Sequence, residues 1–216
     1  MGKTTFYSFR LTSLFPPNDE YAATIARLCI LWEDFITEAS GGAAAQIQEM
    51  DGHSPQWRRL YFLRRSIGTV HEIRKALHTL RTVNEFKAAL SNQDKTDQAS
   101  FEQAYQTLTT HEEAIKTLRN NIAGGHVLQK AVKEGLSKAD SELQGLLQKG
   151  EYYKDIRFKF THGLVLETMF PGHASKNAEE EIERFVSLME EATSNALQLI
   201  EFAFSLYVKG RHITPL

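Results

Sequence analysis

Cysteine, proline and long apolar stretches are scarce in this chain of 216 residues, which contains one cysteine and five prolines. A single thiol, Cys29, excludes an internal disulfide, and the apolar residues beside it predict that it packs within a helical core. No apolar run reaches the roughly 20 residues of a membrane-spanning helix, and the first residues carry no secretory signal pattern. We therefore predict a cytoplasmic protein that makes no contact with a membrane.

Charge of one sign is not in excess either, because the net charge is −2 at pH 7. The overall basic balance that is typical of many nucleic-acid-binding domains is missing, so a contact with nucleic acid has to be local. One stretch of the sequence does concentrate basic residues, and a solvated helix face explains it equally well. Its members are Arg58, Arg59, Arg64, Arg65, Arg74, Lys75 and Arg81.

Apolar residues at helical spacing are abundant, and they predict a mainly helical framework. Long helices are expected over about residues 18–39, 55–90 and 98–122 and from Ser175 to about 208, with shorter ones near 127–132 and 140–147. Gly41 and Gly42 are expected to end the first helix. Because four long amphipathic helices have to bury their apolar stripes against one another, we predict a mainly α fold, an antiparallel helical bundle.

The pattern changes after residue 150, where alternation replaces helical spacing. Arg157-Phe158-Lys159-Phe160 alternates polar with aromatic residues, His162-Gly163 is turn-like, and an apolar run from Leu164 follows. This order predicts a small β-hairpin appendage near 156–169, inserted at about 150–172 into a single domain that covers 1–216.

Metal-binding patterns are incomplete. His71-Glu72 and His111-Glu112 each begin like the zinc-protease helix motif, but the second histidine of that motif is missing from both. The other histidines have no cysteine partners and no clustered carboxylates beside them. We predict neither a metal nor a cofactor.

One polar stretch interrupts the apolar heptad seam of the third predicted helix, namely Leu118-Arg119-Asn120-Asn121-Ile122-Ala123-Gly124-Gly125-His126. In a continuous helix Arg119 and His126 would lie on one face, two turns apart, and Glu112 would extend the same line. Helix-end chemistry explains these residues too, with Asn120 near a C-cap, the glycines as a break and His126 as the start of the next helix.

This stretch resembles the HEPN superfamily, whose motif is an arginine, commonly followed by a polar residue such as asparagine, and then a histidine after four to six intervening residues. Arg119, Asn120 and His126 match it at the six-residue limit. The resemblance covers the third predicted helix, the turn after it and the helical layout. Two other stretches also satisfy the allowed spacing of four to six residues, but one lies inside a predicted helix and one inside a predicted strand. They are Arg64 or Arg65 with His71, and Arg157 with His162.

The resemblance implies a homodimer that cleaves RNA without a metal, as a toxin or in antiphage defence, and that an antitoxin or another protein partner controls. Arg119 would hold the phosphate, His126 would move the proton, and Asn120 would orient the phosphate or cap the helix. Supporting polar contacts are expected from His71, Glu72 and Glu112. The expected RNA-binding residues are Arg58, Arg59, Arg64 and Arg65.

A second hypothesis is a non-catalytic binding or dimerisation module, which the heptad seam of the third helix favours. An exposed cleft formed by Arg119 and His126 at a two-fold interface would favour the nuclease. Burial of either side chain in a structural salt bridge would favour the module.

Overall fold

The computed structural model describes residues 7–44, 55–122, 129–138, 147–148, 157–158, 165, 168–169, 178–209, 211 and 214–215. Within these residues the protein is mainly helical, which confirms the mainly α part of the predicted fold class. The antiparallel arrangement of the bundle and the single domain over 1–216 stay predictions.

The described residues form eight helices of 4 to 31 residues and four two-residue strands. In chain order they are β1 (Tyr7–Ser8), α1 (Leu11–Leu14), α2 (Glu20–Ala44), α3 (Pro55–Leu80), α4 (Asn84–Ser91), α5 (Lys95–Thr110), α6 (Glu112–Ile122), α7 (Gln129–Lys138), β2 (Leu147–Gln148), β3 (Arg157–Phe158), α8 (Ala178–Val208) and β4 (Thr214–Pro215). β1 pairs with β4 and β2 pairs with β3, both antiparallel.

These elements form two compact units, and α2, α3 and α8 contribute residues to both. Unit 1 comprises the described residues of Met1–Phe35, Glu72–His111 and Glu191–Leu216. Unit 2 comprises the described residues of Ile36–His71 and Glu112–Glu190.

A series of aromatic rings joins the helices of unit 1. The ring of Tyr207 stacks on Phe15 with centroids 5.6 Å apart and meets the edge of Tyr21 at 4.9 Å. Phe86 continues the series towards α5, since its ring lies 5.4 Å from that of Phe101. The buried hydroxyl group of Tyr207 donates a hydrogen bond to the main-chain carbonyl of Leu14. Such buried rings dominate the apolar area that stabilises a core.

Among the described residues, unit 2 has a mainly aliphatic core that also contains several polar side chains. Its buried apolar residues include Leu60, Ile67, Val70, Ile115, Leu118, Ala131, Val165, Met169, Phe185 and Met189. Its buried polar side chains include Glu38, Arg64, His71 and Thr168.

The first predicted helix does not end at Gly41 and Gly42, because α2 continues through both glycines to Ala44. Phe62 of α3 explains the missing side chain, since a Cβ atom at Gly41 would lie 2.5 Å from two atoms of that ring. The glycine therefore provides space for a ring and does not break the helix.

The hairpin predicted near 156–169 is not supported. Arg157 and Phe158 are extended, but they pair with Leu147 and Gln148, which precede them, and residues 165, 168 and 169 are helical. The helical residues are Val165, Thr168 and Met169, all buried. A spacing of three and four residues is that of one helix face, so burial here follows the helical period and not the alternation of a strand. Leu147 was expected at the end of a short helix, and that prediction is also wrong; residues 139–146 lie outside the described part.

Two of the predicted long helices are each interrupted. The helix expected over 55–90 stops at Leu80 and resumes at Asn84, and the one expected over 98–122 is divided at His111. α5 also begins earlier than expected, at Lys95, because the side chain of Asp94 accepts a 2.8 Å hydrogen bond from the main-chain nitrogen of Asp97. This N-cap satisfies a main-chain donor that a helix start leaves unpaired.

Candidate functional site

α6 positions the arginine of the candidate motif. The helix begins with Glu112 and Glu113 and carries Arg119 in its last turn, so charges of both signs complement the helix dipole. Ile115 and Leu118 are buried and anchor the helix in unit 2. Arg119 follows Leu118 directly and lies at the border of the buried face, where its side chain is half-exposed.

Arg119 and Asn120 contact each other at the surface of unit 2. The Nη1 atom of Arg119 donates a hydrogen bond of 3.4 Å to the Oδ1 atom of Asn120, whose side chain is exposed. Within the described part of the chain, Arg119 has no carboxylate partner. A guanidinium that is accessible and not neutralised is able to accept a phosphate group.

The histidine of the motif lies outside the described residues. α6 ends at Ile122, α7 begins at Gln129, and His126 belongs to the stretch 123–128 between them. The pairing of Arg119 with His126 therefore stays a prediction. Such a pairing requires an accessible guanidinium, and Arg119 is half-exposed.

The three supporting residues do not share one environment. Glu112 is half-exposed at the start of α6, whereas His71 is buried within α3 at 9% exposure. Glu72 belongs to unit 1, where its carboxylate lies 2.8 Å from Nη2 of Arg27 and 3.3 Å from Nζ of Lys75. Glu72 is thus held in an ion pair of its own.

The four arginines predicted to bind RNA do not present their charges in the same way. Arg64 is only 6% exposed, and burial lowers the pKa of its guanidinium while Tyr61 has the opposite, smaller effect. Arg65 is exposed, but its Nε atom lies 3.6 Å from Oε1 of Glu38. Arg58 is half-exposed, and the side chain of Arg59 lies outside the described part. Arg64 is therefore poorly placed for a phosphate, and Arg65 is partly neutralised.

We did not predict from the sequence that several polar side chains of unit 2 are buried. Glu38, Arg64, His71 and Thr168 are all at most 9% exposed. The sequence contains part of this information, because Arg64 and His71 are seven residues apart and share one face of α3. Thr168 was hidden by the expectation of a strand, in which it would not share a face with Met169.

No group of three or more histidine, cysteine, aspartate or glutamate side chains within the described part of the chain is arranged to hold a metal ion. No helix among the described residues is both long and apolar enough to cross a membrane.

No family model, no curated protein and no solved structure matches this chain. The functional assignment therefore depends on the residues and on their geometry.

Proposed function

We propose that this protein is a metal-independent endoribonuclease of the HEPN type. The observation that carries the proposal is the state of Arg119: half-exposed, beside Asn120, and without a carboxylate partner among the described residues. It stands at the end of α6, immediately before the stretch that contains His126. A structural salt bridge at Arg119 would have favoured a purely architectural role.

The proposed reaction is transesterification within the RNA strand. The ribose 2′-hydroxyl attacks the neighbouring phosphorus, a 2′-oxygen–phosphorus bond forms, and the bond from phosphorus to the 5′-oxygen breaks. His126 accepts the proton of the 2′-hydroxyl, and the leaving 5′-oxygen takes a proton from water or from a second histidine. Arg119 stabilises the negative charge on the phosphoryl oxygens. The products are a 2′,3′-cyclic phosphate and a 5′-hydroxyl end, and no metal is required.

The oligomeric and biological parts of the proposal come from the resemblance. A homodimer would place two arginine–histidine pairs in one cleft and would supply the second histidine. We propose that such activity serves as a toxin or in antiphage defence in the cytoplasm, and that an antitoxin restrains it. RNA and a second copy of the chain are thus the proposed partners.

The decisive experiment is cleavage of varied RNAs in excess EDTA by the wild type, Arg119→Ala and His126→Ala proteins, with analysis of the product ends. Lys116→Ala is the matched control, because Lys116 lies on the same helix but pairs with Glu113 at 3.3 Å. We expect cyclic phosphate ends that both motif substitutions lower by about 100-fold or more and that the control leaves unchanged. Equal activity in all four proteins would remove this site, provided that circular dichroism shows each of them folded.

A second candidate is the non-catalytic binding module. Leu136 favours it, since this apolar side chain is 59% exposed on α7. An absence of cleavage with every RNA tested, together with a folded dimer, would support the module against the nuclease.

A further inference from the structure

We infer that the exposed face of α7, defined by Lys130, Lys133 and Ser137, binds the sugar–phosphate backbone of a single-stranded RNA next to Arg119. This inference rests on the proposed function and deepens it, because it says which surface holds the substrate. It also assigns the contact with the RNA phosphates to α7 and not to the arginines of α3.

The three residues share one face because α7 is amphipathic. Ala131 and Gly135 are buried on one side of the helix, whereas Lys130, Lys133 and Ser137 are exposed. Their spacing of three and then four residues places them in a row along the helix. The row runs for nearly two turns, or about 10 Å, which is long enough to follow more than one phosphate of an RNA strand.

The row begins close in the chain to the proposed catalytic residues. α6 and α7 contact each other within unit 2. Arg119 lies in the last turn of α6, Lys130 lies in the first turn of α7, and the chain between the two helices contains His126. Both cations thus stand at helix ends that the same short connection joins.

Charge favours an anionic partner for this surface. In the described part of the chain, Arg119, Lys130 and Lys133 have no carboxylate partner. α7 has no acidic residue in its first turn, and its one acidic residue, Glu134, lies one turn after Lys130 on the same side of the helix. Glu134 is also exposed on α7, and it takes part in an interaction of its own.

Other basic residues of unit 2 are less suited to the task. Lys116 is 3.3 Å from Oε1 of Glu113, and Arg65 is 3.6 Å from Oε1 of Glu38. Arg64 is buried. Phosphate contacts dominate the affinity of proteins for nucleic acid, and lysine and arginine provide them when their charges are available.

The test compares two double variants with the same change of charge. Lys130→Gln with Lys133→Gln alters the proposed surface, and Lys87→Gln with Lys95→Gln alters two exposed lysines of unit 1. All binding measurements are made in a His126→Ala background, so that a fluorescent single-stranded RNA stays uncut, and anisotropy is recorded over a range of salt concentrations.

We expect the α7 double variant to bind about tenfold or more weakly at low salt, with a log–log salt slope reduced by about 1.4, or 0.7 for each lost phosphate contact. The unit 1 double variant should have the same affinity and the same salt slope as the protein with both lysine pairs intact. Equal affinity and equal slope for the two double variants would overturn the inference, as would a failure of the His126→Ala protein with all lysines intact to bind single-stranded RNA.

Cleavage assays separate this inference from the proposed function. With histidine restored, the α7 double variant should show a raised KM and an unchanged kcat, because it alters binding and not the reacting atoms. RNA binding that depends on α7 without any cleavage would refute the nuclease and keep the surface. Cleavage with an unaltered KM in the α7 double variant would keep the nuclease and refute the surface.

Discussion

Gly41 of α2 and the ring of Phe62 in α3 lie so close together that a Cβ atom at Gly41 would be 2.5 Å from two ring atoms. The neighbouring Gly42 differs, since its added Cβ atom would be 3.6 Å from Cβ of Phe62, an ordinary contact. The two glycines of this helix therefore have separate roles. Gly41 admits the ring, and Gly42 is open to a side chain.

Alanine substitution should separate the two glycines. Gly42→Ala should raise the free energy of unfolding by about 0.5–1 kcal/mol, because alanine loses less conformational entropy in a helix. Gly41→Ala makes the same local gain but displaces Phe62, and overpacking of this kind costs about 1–3 kcal/mol. Urea denaturation of the two variants measures the difference, and equal stabilities would contradict the close contact.

Arg81 should contribute more to stability than other paired arginines. Its Nη2 atom lies 2.9 and 2.8 Å from the two carboxylate oxygens of Glu102, and its guanidinium carbon is 4.1 Å from the centre of the Tyr105 ring. Arg81→Lys should cost about 1 kcal/mol, because an ammonium group does not reproduce the planar contact. The same change at Arg27, whose pair with Glu72 is more exposed, should cost less. Thermal unfolding of both variants tests this order.

We expect deprotonation of the Tyr21 hydroxyl group to destabilise the folded protein at alkaline pH. Burial raises its pKa to about 12; Arg211 opposes the shift, and Tyr207 and Asp19 add to it. Between pH 10 and 12 the folded state then holds the proton that the unfolded state releases, so stability falls as the pH rises through that window.

Tyr21→Phe should reduce this pH dependence without abolishing it, because burial also raises the pKa of Tyr207. No hydrogen-bond partner of the Tyr21 hydroxyl is present among the described residues, so the substitution should be neutral or stabilising by about 1 kcal/mol at pH 7. Urea denaturation at pH 7 and pH 11 gives both quantities, with Tyr61→Phe as an exposed control. An identical loss of stability in wild type and Tyr21→Phe would contradict the prediction.

Cys29 should react slowly with iodoacetamide in the folded protein. Burial raises the pKa of its thiol, and the carboxylate of Glu33 raises it further. Since only the thiolate is the nucleophile, alkylation at pH 8 should be slower than in urea and should accelerate at higher pH. Glu33→Gln should increase the rate, and Asp34→Asn serves as the matched control. Mass spectrometry of timed samples measures each rate.

Apolar spacing predicted where most helices lie, but not where two of them break. Leu77, Leu80, Val83 and Phe86 are buried and follow each other at intervals of three residues, so the pattern continues unchanged from α3 into α4. Neither glycine nor proline marks that break. The hydroxyl group of Thr82 donates a 2.7 Å hydrogen bond to the carbonyl of Thr79 there, a local contact that competes with the helix ladder.

In the candidate site too, the sequence predicts the position of one residue along its helix but not the burial of another. The position of Arg119 beside a buried seam follows from the heptad of Ile115 and Leu118, and its exposure is consistent with that position. The burial of Arg64 does not follow from its sequence. Arg64 and Arg65 differ by about 100° around the helix axis, and only packing against other elements decides which of them faces solvent.

Unit 1 closes through contacts between the beginning and the end of the described chain: β1 pairs with β4, and Tyr207 bonds to the carbonyl of Leu14. During synthesis, α1 and the first part of α2 leave the ribosome on the order of ten seconds before their C-terminal partners. In that interval their apolar faces lack these native neighbours. We therefore expect nascent chains that stop before α8 to need chaperone binding.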